Sequence, residues 1–368
     1  MAYFIRDTGN NLTPLQHSYN IFKEYITKNF FSTMIGKRDS GKPIVIDDQV
    51  FKGKNAGDVS RWHFIPQYKG KGILGQNPSI TGNEKTLDEF YMDLRIDQVA
   101  QAFKKRGKMT DVRTIWNIRD EFKSQLAEWF RDFTETDLVY ALTGLKSDGA
   151  TWIEGAAAMS TDLVNGVGRC FRPDYADSKF SVVKVAPGDT DGTSLTGAIN
   201  SGDVMNTYLL DELQSLAKTA GKYAMRPIRA INNEEYYILV IHPNAAIDLR
   251  RDPRWEERAR ASMTGKGSLD NDPIATGAIG VWNKIIVKEA DKIVVQSNAA
   301  GSVNVARNLL LGANAALLAY GQNLDYKEER RDYDREMGVA ADEIRGSNKI
   351  TFDGCDLNVA QVPTFVSL

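Results

Sequence analysis

Cysteine and histidine are nearly missing from this 368-residue chain, which has two cysteines, Cys170 and Cys355, and three histidines, His17, His63 and His242. No Cys-x-x-Cys pair exists, so neither a disulfide framework nor a cysteine metal site is written here, as expected of a reducing cytosol. The histidines are too scattered to form a His-x-x-x-His pair. No apolar stretch approaches the ~20 residues needed to span a bilayer. The N-terminus lacks the basic-then-apolar pattern of a signal peptide. The expectation is a protein made and kept in the cytoplasm, with no membrane partner. Excess charge of one sign is also missing: the net charge is −2, too small to predict a nucleic-acid or membrane partner.

What is present is ordinary globular composition, 42% hydrophobic and 26% charged. Single cores stop growing at roughly 250–300 residues, so two lobes, or one lobe with long extensions, are expected. The charge is unevenly spread. Residues 1–110 hold 17 Lys/Arg and 11 Asp/Glu, and the remainder holds 29 and 37. This is either solvated surface or a complementarity between neighbouring copies that weakens with salt.

Residues 1–12 read as a loose arm. Thr13-Pro14 opens a short helix, with Thr13 as its cap and Leu15, Tyr19, Phe22 and Ile26 on its apolar face. Residues 36–85 are punctuated by glycine, with short β-rich pieces at Pro43 to Ile46 and Arg61 to Ile65 and little patterning that would build a core. They read as an extended hairpin projecting from the body, with Lys85 to Val99 as its returning strand. A long helix follows from about Asp111 to Leu142, capped by Thr110 and ended by Gly144. Its broad apolar face includes Phe122, Leu126, Trp129, Phe130 and Phe133. From Gly149 to Ser201 the chain looks irregular, with a strand near Phe180 to Val185. Then come a helix at Val204 to Thr219, strands at Arg226 to Ala230 and Tyr236 to Ile241, a short helix at Ala245 to Arg250, and a strand at Lys284 to Glu289. Arg307 to Tyr320 is strongly apolar. A helix near Ala340 to Arg345 and strands at Lys349 to Phe352 and Gln361 to Phe365 close the chain.

Two nucleotide-binding motifs nearly appear. Gly36 to Lys42 matches seven positions of a P-loop, but Pro43 stands where a Mg²⁺-binding hydroxyl is required, and a helix precedes the segment where a strand should. Gly70-Lys71-Gly72-Ile73-Leu74-Gly75 matches GxGxxG, but Gln76-Asn77-Pro78-Ser79 is turn chemistry where a helix must start. No Gly-x-Ser-x-Gly nucleophile elbow is present. The acidic pairs Asp47-Asp48, Asp270 with Asp272, and Asp332 with Asp334 read as solvated turns or ion pairs. Lys104 to Lys108 is the one basic run; it could face nucleic acid, contact a partner or be solvated, and the last is the default. Glu328 to Glu336, with Arg330, Arg331, Asp332 and Asp334, is dense in both signs. It reads either as an exposed salt-bridged surface or as an intersubunit charge network.

The order of several stretches resembles the major capsid (coat) protein family of tailed double-stranded-DNA bacteriophages, in its podovirus-like branch. They are Arg61 to Gly72 with Gly82-Asn83-Glu84, then Tyr236 to Pro243, Gly277 to Gly280 leading into Lys284 to Glu289, Arg307 to Ala316, and Asp332-Tyr333-Asp334 with Ile344-Arg345-Gly346. The resemblance covers residues ~60–355 and implies an α+β fold, the tailed-phage major capsid fold. Its parts would be an N-terminal arm (1–45), an extended β-hairpin loop (46–98), a peripheral domain with a long spine helix (99–149), an axial domain (150–280), and an axial/peripheral return with C-terminal strands (281–368). It implies a structural subunit, not an enzyme, with no cofactor, no metal and no catalytic residue. That subunit would self-assemble into hexamers and pentamers of an icosahedral capsid around double-stranded DNA. The implied partners are further copies of itself, scaffolding and portal proteins, a decoration protein, and packaged DNA bound non-specifically. The implied location is the virion capsid, assembled in the host bacterial cytoplasm. The interface candidates are Trp62, Phe64 and Tyr68 as anchors, Gly70, Gly72 and Gly75 as bending points, and the charged set Arg330, Arg331, Asp332 and Asp334. The alternatives are an encapsulin-like nanocompartment shell and a nucleotide-binding enzyme.

Overall fold

The apolar run Arg307 to Tyr320 forms two consecutive strands that lie in two different sheets, and the fold is organised around that crossing. The computed structural model describes residues 12–37, 40–47, 59–64, 90–105, 107, 118–145, 170–174, 181–185, 199–219, 224–229, 234–262, 278–297, 303–333, 336–352 and 355–367.

The elements in chain order are α1 (Leu12–Lys28), a 3-10 turn (Phe30–Thr33), β1 (Ile35–Gly36), β2 (Ile44–Asp47), β3 (Val59–Phe64), β4 (Phe90–Arg95), β5 (Asp97–Lys105) and α2 (Ile118–Thr143). Then come β6 (Cys170–Asp174), β7 (Ser181–Val185), α3 (Thr207–Thr219), β8 (Ile228–Arg229), β9 (Glu235–Ile241), α4 (Pro243–Arg251) and α5 (Pro253–Ser262). The last are β10 (Ala278–Trp282), β11 (Ile285–Glu289), β12 (Val295–Ser297), β13 (Asn304–Leu311), β14 (Ala316–Arg331), β15 (Glu336–Lys349), β16 (Thr351–Phe352), β17 (Cys355–Asp356) and β18 (Val359–Phe365).

One sheet has five strands in the order β1-β2-β14-β15-β5. The larger sheet runs β10-β11-β9-β13-β18-β6-β7, with β12 and β8 attached at its sides. In the larger sheet Tyr237 to Ile241 are all buried, as are Ile285 to Val287 and Val305 to Leu311. Runs buried without alternation belong to strands covered on both faces. Leu209, Leu210 and Leu213 of α3 and Ala245, Ala246 and Leu249 of α4 complete this core.

Two helices pack beneath the five-stranded sheet. Ile21 and Tyr25 of α1 meet Leu126, Ala127, Phe130 and Phe133 of α2, and both sets meet Val99, Leu324, Tyr326, Val339 and Ala341 of the sheet. The apolar face expected for α2 is thus the buried one. The end of that helix is also as expected. Gly144 sits at φ +79°, its N–H donates to Ala141 O (3.3 Å), and Leu145 N–H donates to Tyr140 O (3.0 Å). Those two bonds are the Schellman pair, which needs a left-handed residue after the helix.

Several expectations are corrected. Helix α1 already includes Leu12, so Thr13 lies in its first turn and does not cap it. Tyr19 is 64% exposed, and the buried stripe runs through Ser18, Ile21 and Tyr25. The start of α2 before Ile118 lies outside the described residues. Helix α3 begins at Thr207 rather than Val204. Asn206 Oδ1 caps it by accepting from Leu209 N–H (2.9 Å), and the Asp252 carboxylate takes Thr207 N–H (2.8 Å). Pro43 to Ile46 does not belong to a projecting loop. Ile44 and Val45 are fully buried, and β2 pairs parallel with β14. The helix expected at Ala340 to Arg345 is the middle of β15, held between β14 and β5. Its Ala and Glu residues favour helix locally, and two flanking strands override that preference.

Candidate subunit interface

Strands β3 and β4 form a separate antiparallel ribbon, paired from Val59↔Arg95 to Phe64↔Phe90. Alternate residues of a strand face opposite sides. One side of this ribbon carries Ser60, Trp62, Met92 and Leu94. Trp62 and Leu94 are buried against Val45, Leu317, Ala319 and Ile350 of the body. Burying two such side chains contributes ~3–6 kcal/mol, so the root of the hairpin is part of the chain's own core. Trp62, expected to anchor a neighbour, is spent there. The other side carries Val59, Arg61, His63, Tyr91, Asp93 and Arg95, all exposed. On it Arg61 makes two hydrogen bonds to Asp93 (2.7 and 2.8 Å) and lies 4.4 Å over the Tyr91 ring. The Arg61 hydrogen bond holds the Asp93 carboxyl below the usual range. The Phe64 side chain, Tyr68, Gly70, Gly72 and Gly75 lie outside the described residues, as does the GxGxxG match.

The ribbon meets the body at a close backbone approach. A Cβ on Gly346 of β15 would overlap the carbonyl oxygen of Arg95 and stand 3.4 Å from Ile96 Cα. Only glycine lets β15 pass beneath the corner that turns β4 into β5.

The second surface is the far end of the β14–β15 hairpin. Its helix side is locked down. Arg119 of α2 makes two hydrogen bonds to Glu328 (2.7 and 2.8 Å), and Tyr326 Oη donates to the same carboxylate (2.7 Å). Burial pushes the Glu328 carboxyl up, and those donors outweigh it and hold it below its ordinary value. The open side carries Asp325, Lys327, Glu329 and Arg331 in alternating sign, with Lys327–Asp325 at 3.1 Å and Arg331–Glu329 at 2.8 Å. Across the sheet Lys104 pairs with Glu336 at 2.5 Å. Between these charged rims Ala102, Gly338 and Ala340 floor an open groove of about 590 Å³.

At the tip, Asp332 and Tyr333 both have φ +51°, the left-handed backbone that tight hairpin turns require. Tyr333 is 98% exposed. Of the charged set expected here, Arg330, Arg331 and Asp332 are exposed together at this end, and Asp334 lies outside the described residues. Sequence reasoning missed Asp325 and Lys327, and it named Lys104 and Tyr333 without making them interface candidates. The signal for the missed pair was the i, i+2 alternation of charge from Asp325 to Arg331, legible only to a reader who already takes that stretch as a strand.

The described residues of the near P-loop show no phosphate-binding geometry. Gly36 lies in β1, Ser40 N–H is bonded to Lys37 O (3.0 Å), Lys42 Nζ donates to Ile35 O (3.1 Å), and a strand, not a helix, follows at Ile44. Among the described residues no cluster of His, Cys, Asp and Glu is placed to hold a metal ion.

Comparison with known proteins agrees with this architecture. Residues 9–367 match the family model described as phage capsid protein. The chain is 26% identical over 308 residues to the major capsid protein of Pseudomonas phage KPP25, covering 78% of this chain and 76% of that one. Among solved structures it is similar to the capsid of Ralstonia phage GP4, with TM-score 0.75 at 22% identity over 93% of this chain and 92% of that one. It is also similar to the cyanophage Pam1 capsid, with TM-score 0.71 at 20% identity over 93% of both. The capsid of Helicobacter pylori phage KHP30 follows, with TM-score 0.63 at 14% identity over 92% of both. A helix-backed sheet joined by one strand crossing to a larger sheet, with a ribbon rooted in its flank, is the tailed-phage capsid fold, and this chain belongs to the phage capsid protein family as a shell subunit rather than an enzyme.

Proposed function

We propose that the chain builds an icosahedral shell of hexamers and pentamers around double-stranded DNA, and that two projecting features make its contacts. One is the hairpin loop within residues 46–98. The other is the charged end of β14–β15, with Arg330, Arg331, Asp332 and Asp334. In this reading only the part of residues 1–45 that precedes α1 serves as an arm, because α1, β1 and β2 pack into the body. The five-stranded sheet with α2 is the peripheral domain, and α2 is its spine helix. The middle of the chain, residues 150–280, is the axial domain, and β14–β15 return to the periphery. Scaffolding and portal proteins are the further partners, a decoration protein is an additional one, and assembly takes place in the host cytoplasm.

The observation that carries the reading is the root of the hairpin. Trp62 and Leu94 fix β3 and β4 to the body, so the segment between them leaves from a rigid base. In this reading Phe64, Tyr68, Gly70, Gly72 and Gly75 supply contacts to neighbouring copies. Glycine tolerates both signs of φ, which suits a segment that meets neighbours at more than one angle. Repetition of modest contacts around rings supplies the stability of the whole.

The test is to replace residues 65–89 with a short turn, keeping Trp62 and Leu94. The expected subunit is soluble and folded, and electron microscopy finds no closed shells. Normal shells from that variant would remove the hairpin from the assembly mechanism.

A further inference from the structure

Strand β5 is an edge of the five-stranded sheet. It pairs with β15 through nine consecutive partners, Asp97↔Arg345 to Lys105↔Met337, with no bulge. Its other edge carries no strand among the described residues. It contains no proline, and its charges stand only at its two ends. Long regular edges of this kind are templates for another strand unless proline, a bulge or inward charge blunts them.

The order of residues along β5 says which strand fits. Asp97, Val99, Gln101, Phe103 and Lys105 face the helix side, where Val99 is buried and Phe103 partly buried in the core beneath the sheet. Gln98, Ala100, Ala102 and Lys104 face the open side and are exposed. Turn the strand on itself about a two-fold axis at Gln101. Asp97 then stands opposite Lys105 of the second copy, and Val99 opposite Phe103. Ala100 meets Ala102, Gln98 meets Lys104, and Gln101 meets its own counterpart. Charge meets opposite charge, apolar meets apolar, and small meets small, each twice.

The register is specific. A one-residue slip would set the helix face of one copy against the open face of the other. A two-residue slip would put Val99 against Lys105 or Asp97 against Phe103. In the symmetric register both members of each pair have the same orientation, so outward amides meet outward carbonyls whichever alternate set points outward. On the open side of β5 only alanines, Ala100 and Ala102, lie between Gln98 and Lys104. Antiparallel pairs aligned this way gain from opposite charges and from apolar contacts directly across.

We propose that two copies of this chain join β5 to β5, antiparallel about a two-fold axis, so that two five-stranded sheets become one sheet of ten strands. The contact is isologous, the form a two-fold interface takes, and it uses backbone groups along the strand's edge. Gln98 N–H, which donates to Asp97 Oδ1 (2.8 Å) within the subunit, exchanges that partner as Asp97 turns to Lys105 of the second copy. It also sets the grooves floored by Ala102, Gly338 and Ala340 side by side on one continuous face.

The test uses particles assembled from full-length chains. Gln101→Cys places two thiols on the axis, where antiparallel partners have Cα atoms about 4.5–5.5 Å apart, within disulfide reach. Oxidation of Q101C particles should convert most of the monomer band to a dimer on a non-reducing gel. The parent chain, with Cys170 and Cys355, should not change. Q98C alone should stay monomeric, and Q98C/K104C should cross-link. D97K and K105D should each lower particle yield roughly threefold to tenfold by setting like charges across the axis twice, and D97K/K105D should restore it. Q101C particles that stay monomeric on oxidation overturn the proposal, as does a double swap no better than either single one. Either result would leave the shell-subunit reading intact, because particles would still have formed.

Discussion

The polar cluster buried between α1, α2 and the five-stranded sheet makes a quantitative prediction about Arg345. Its side chain is 1% exposed and that of Glu343 is fully buried, with Nε and Oε1 3.1 Å apart. Arg345 Nη1 donates to Thr134 (2.5 Å), the guanidinium lies 5.1 Å from the Phe133 ring centre, and Tyr25 Oη donates to Glu343 (2.9 Å). Arg345→Met fills similar volume and strands Glu343 in the core. Breaking one side of a buried pair costs about 3–5 kcal/mol, a large share of the 5–15 kcal/mol typical of a domain. Removing both charges in R345M/E343Q should recover about half of that or more, because an uncharged pair leaves no ion to desolvate. The pH dependence follows the same logic. Burial raises the Glu343 carboxyl, and Arg345 and Tyr25 offset this only in part. A carboxyl whose folded pKa lies above the unfolded value of about 4.3 binds its proton first in the folded state. Its contribution therefore becomes more favourable as pH falls through the folded pKa toward the unfolded one, and stays constant below both. The R345M deficit should shrink over that range, and E343Q should remove the slope. Urea unfolding of unassembled subunits at several pH values measures all of this. A double variant as unstable as R345M at neutral pH would refute the argument.

Two further predictions concern backbone approach and an unsatisfied charge. Gly346→Ala should displace the β4–β5 corner from β15 at a cost of about 1–3 kcal/mol, read by urea unfolding, with faster proteolysis of the hairpin as a local signature. Arg307 is completely buried, and its three guanidinium nitrogens find no hydrogen-bond partner among the described residues. Burial lowers its pKa to about 10. Arg307→Met should stabilise the subunit by about 1–3 kcal/mol, and a loss of stability on the same assay would mean the guanidinium is being used.

How much could be read from sequence depended on whether local pattern and tertiary context agreed. They agreed for α2, where Leu126, Phe130 and Phe133 fall on one face and Gly144 ends it. They agreed for β9 and β11, whose apolar runs match strands covered on both sides. They disagreed at Ala340 to Arg345, because a strand between two others needs no β-branched residues to be held. Trp62 lies in a glycine-rich segment with no periodic pattern to give its direction. Its inward direction came from the parity of β3, fixed by pairing with β4 across a gap in sequence. The polar residues at Glu343 and Arg345 carried no mark of burial, since each is ordinary surface chemistry until the partner helices are in place. The edge character of β5 was likewise invisible, because it depends on which strand ends the sheet.

The crossing from β13 to β14 has a mechanical meaning. The chain passes from one sheet to the other in the four residues Gly312 to Ala315, and neighbours hold each step. Gly312 N–H bonds to Asn358 O, Ala313 N–H to Arg226 O, Asn314 N–H to Lys42 O and Ala315 N–H to Pro43 O, while Ala315 O accepts from Ile350 N–H. A pull that separates the two sheets is thus carried by a covalent tie running straight through both cores. Strands on either side load their hydrogen bonds in shear, as a set, instead of peeling them one at a time. Tension across the subunit is shared before any single contact yields, which suits a subunit that must hold its shape as one tile of a shell.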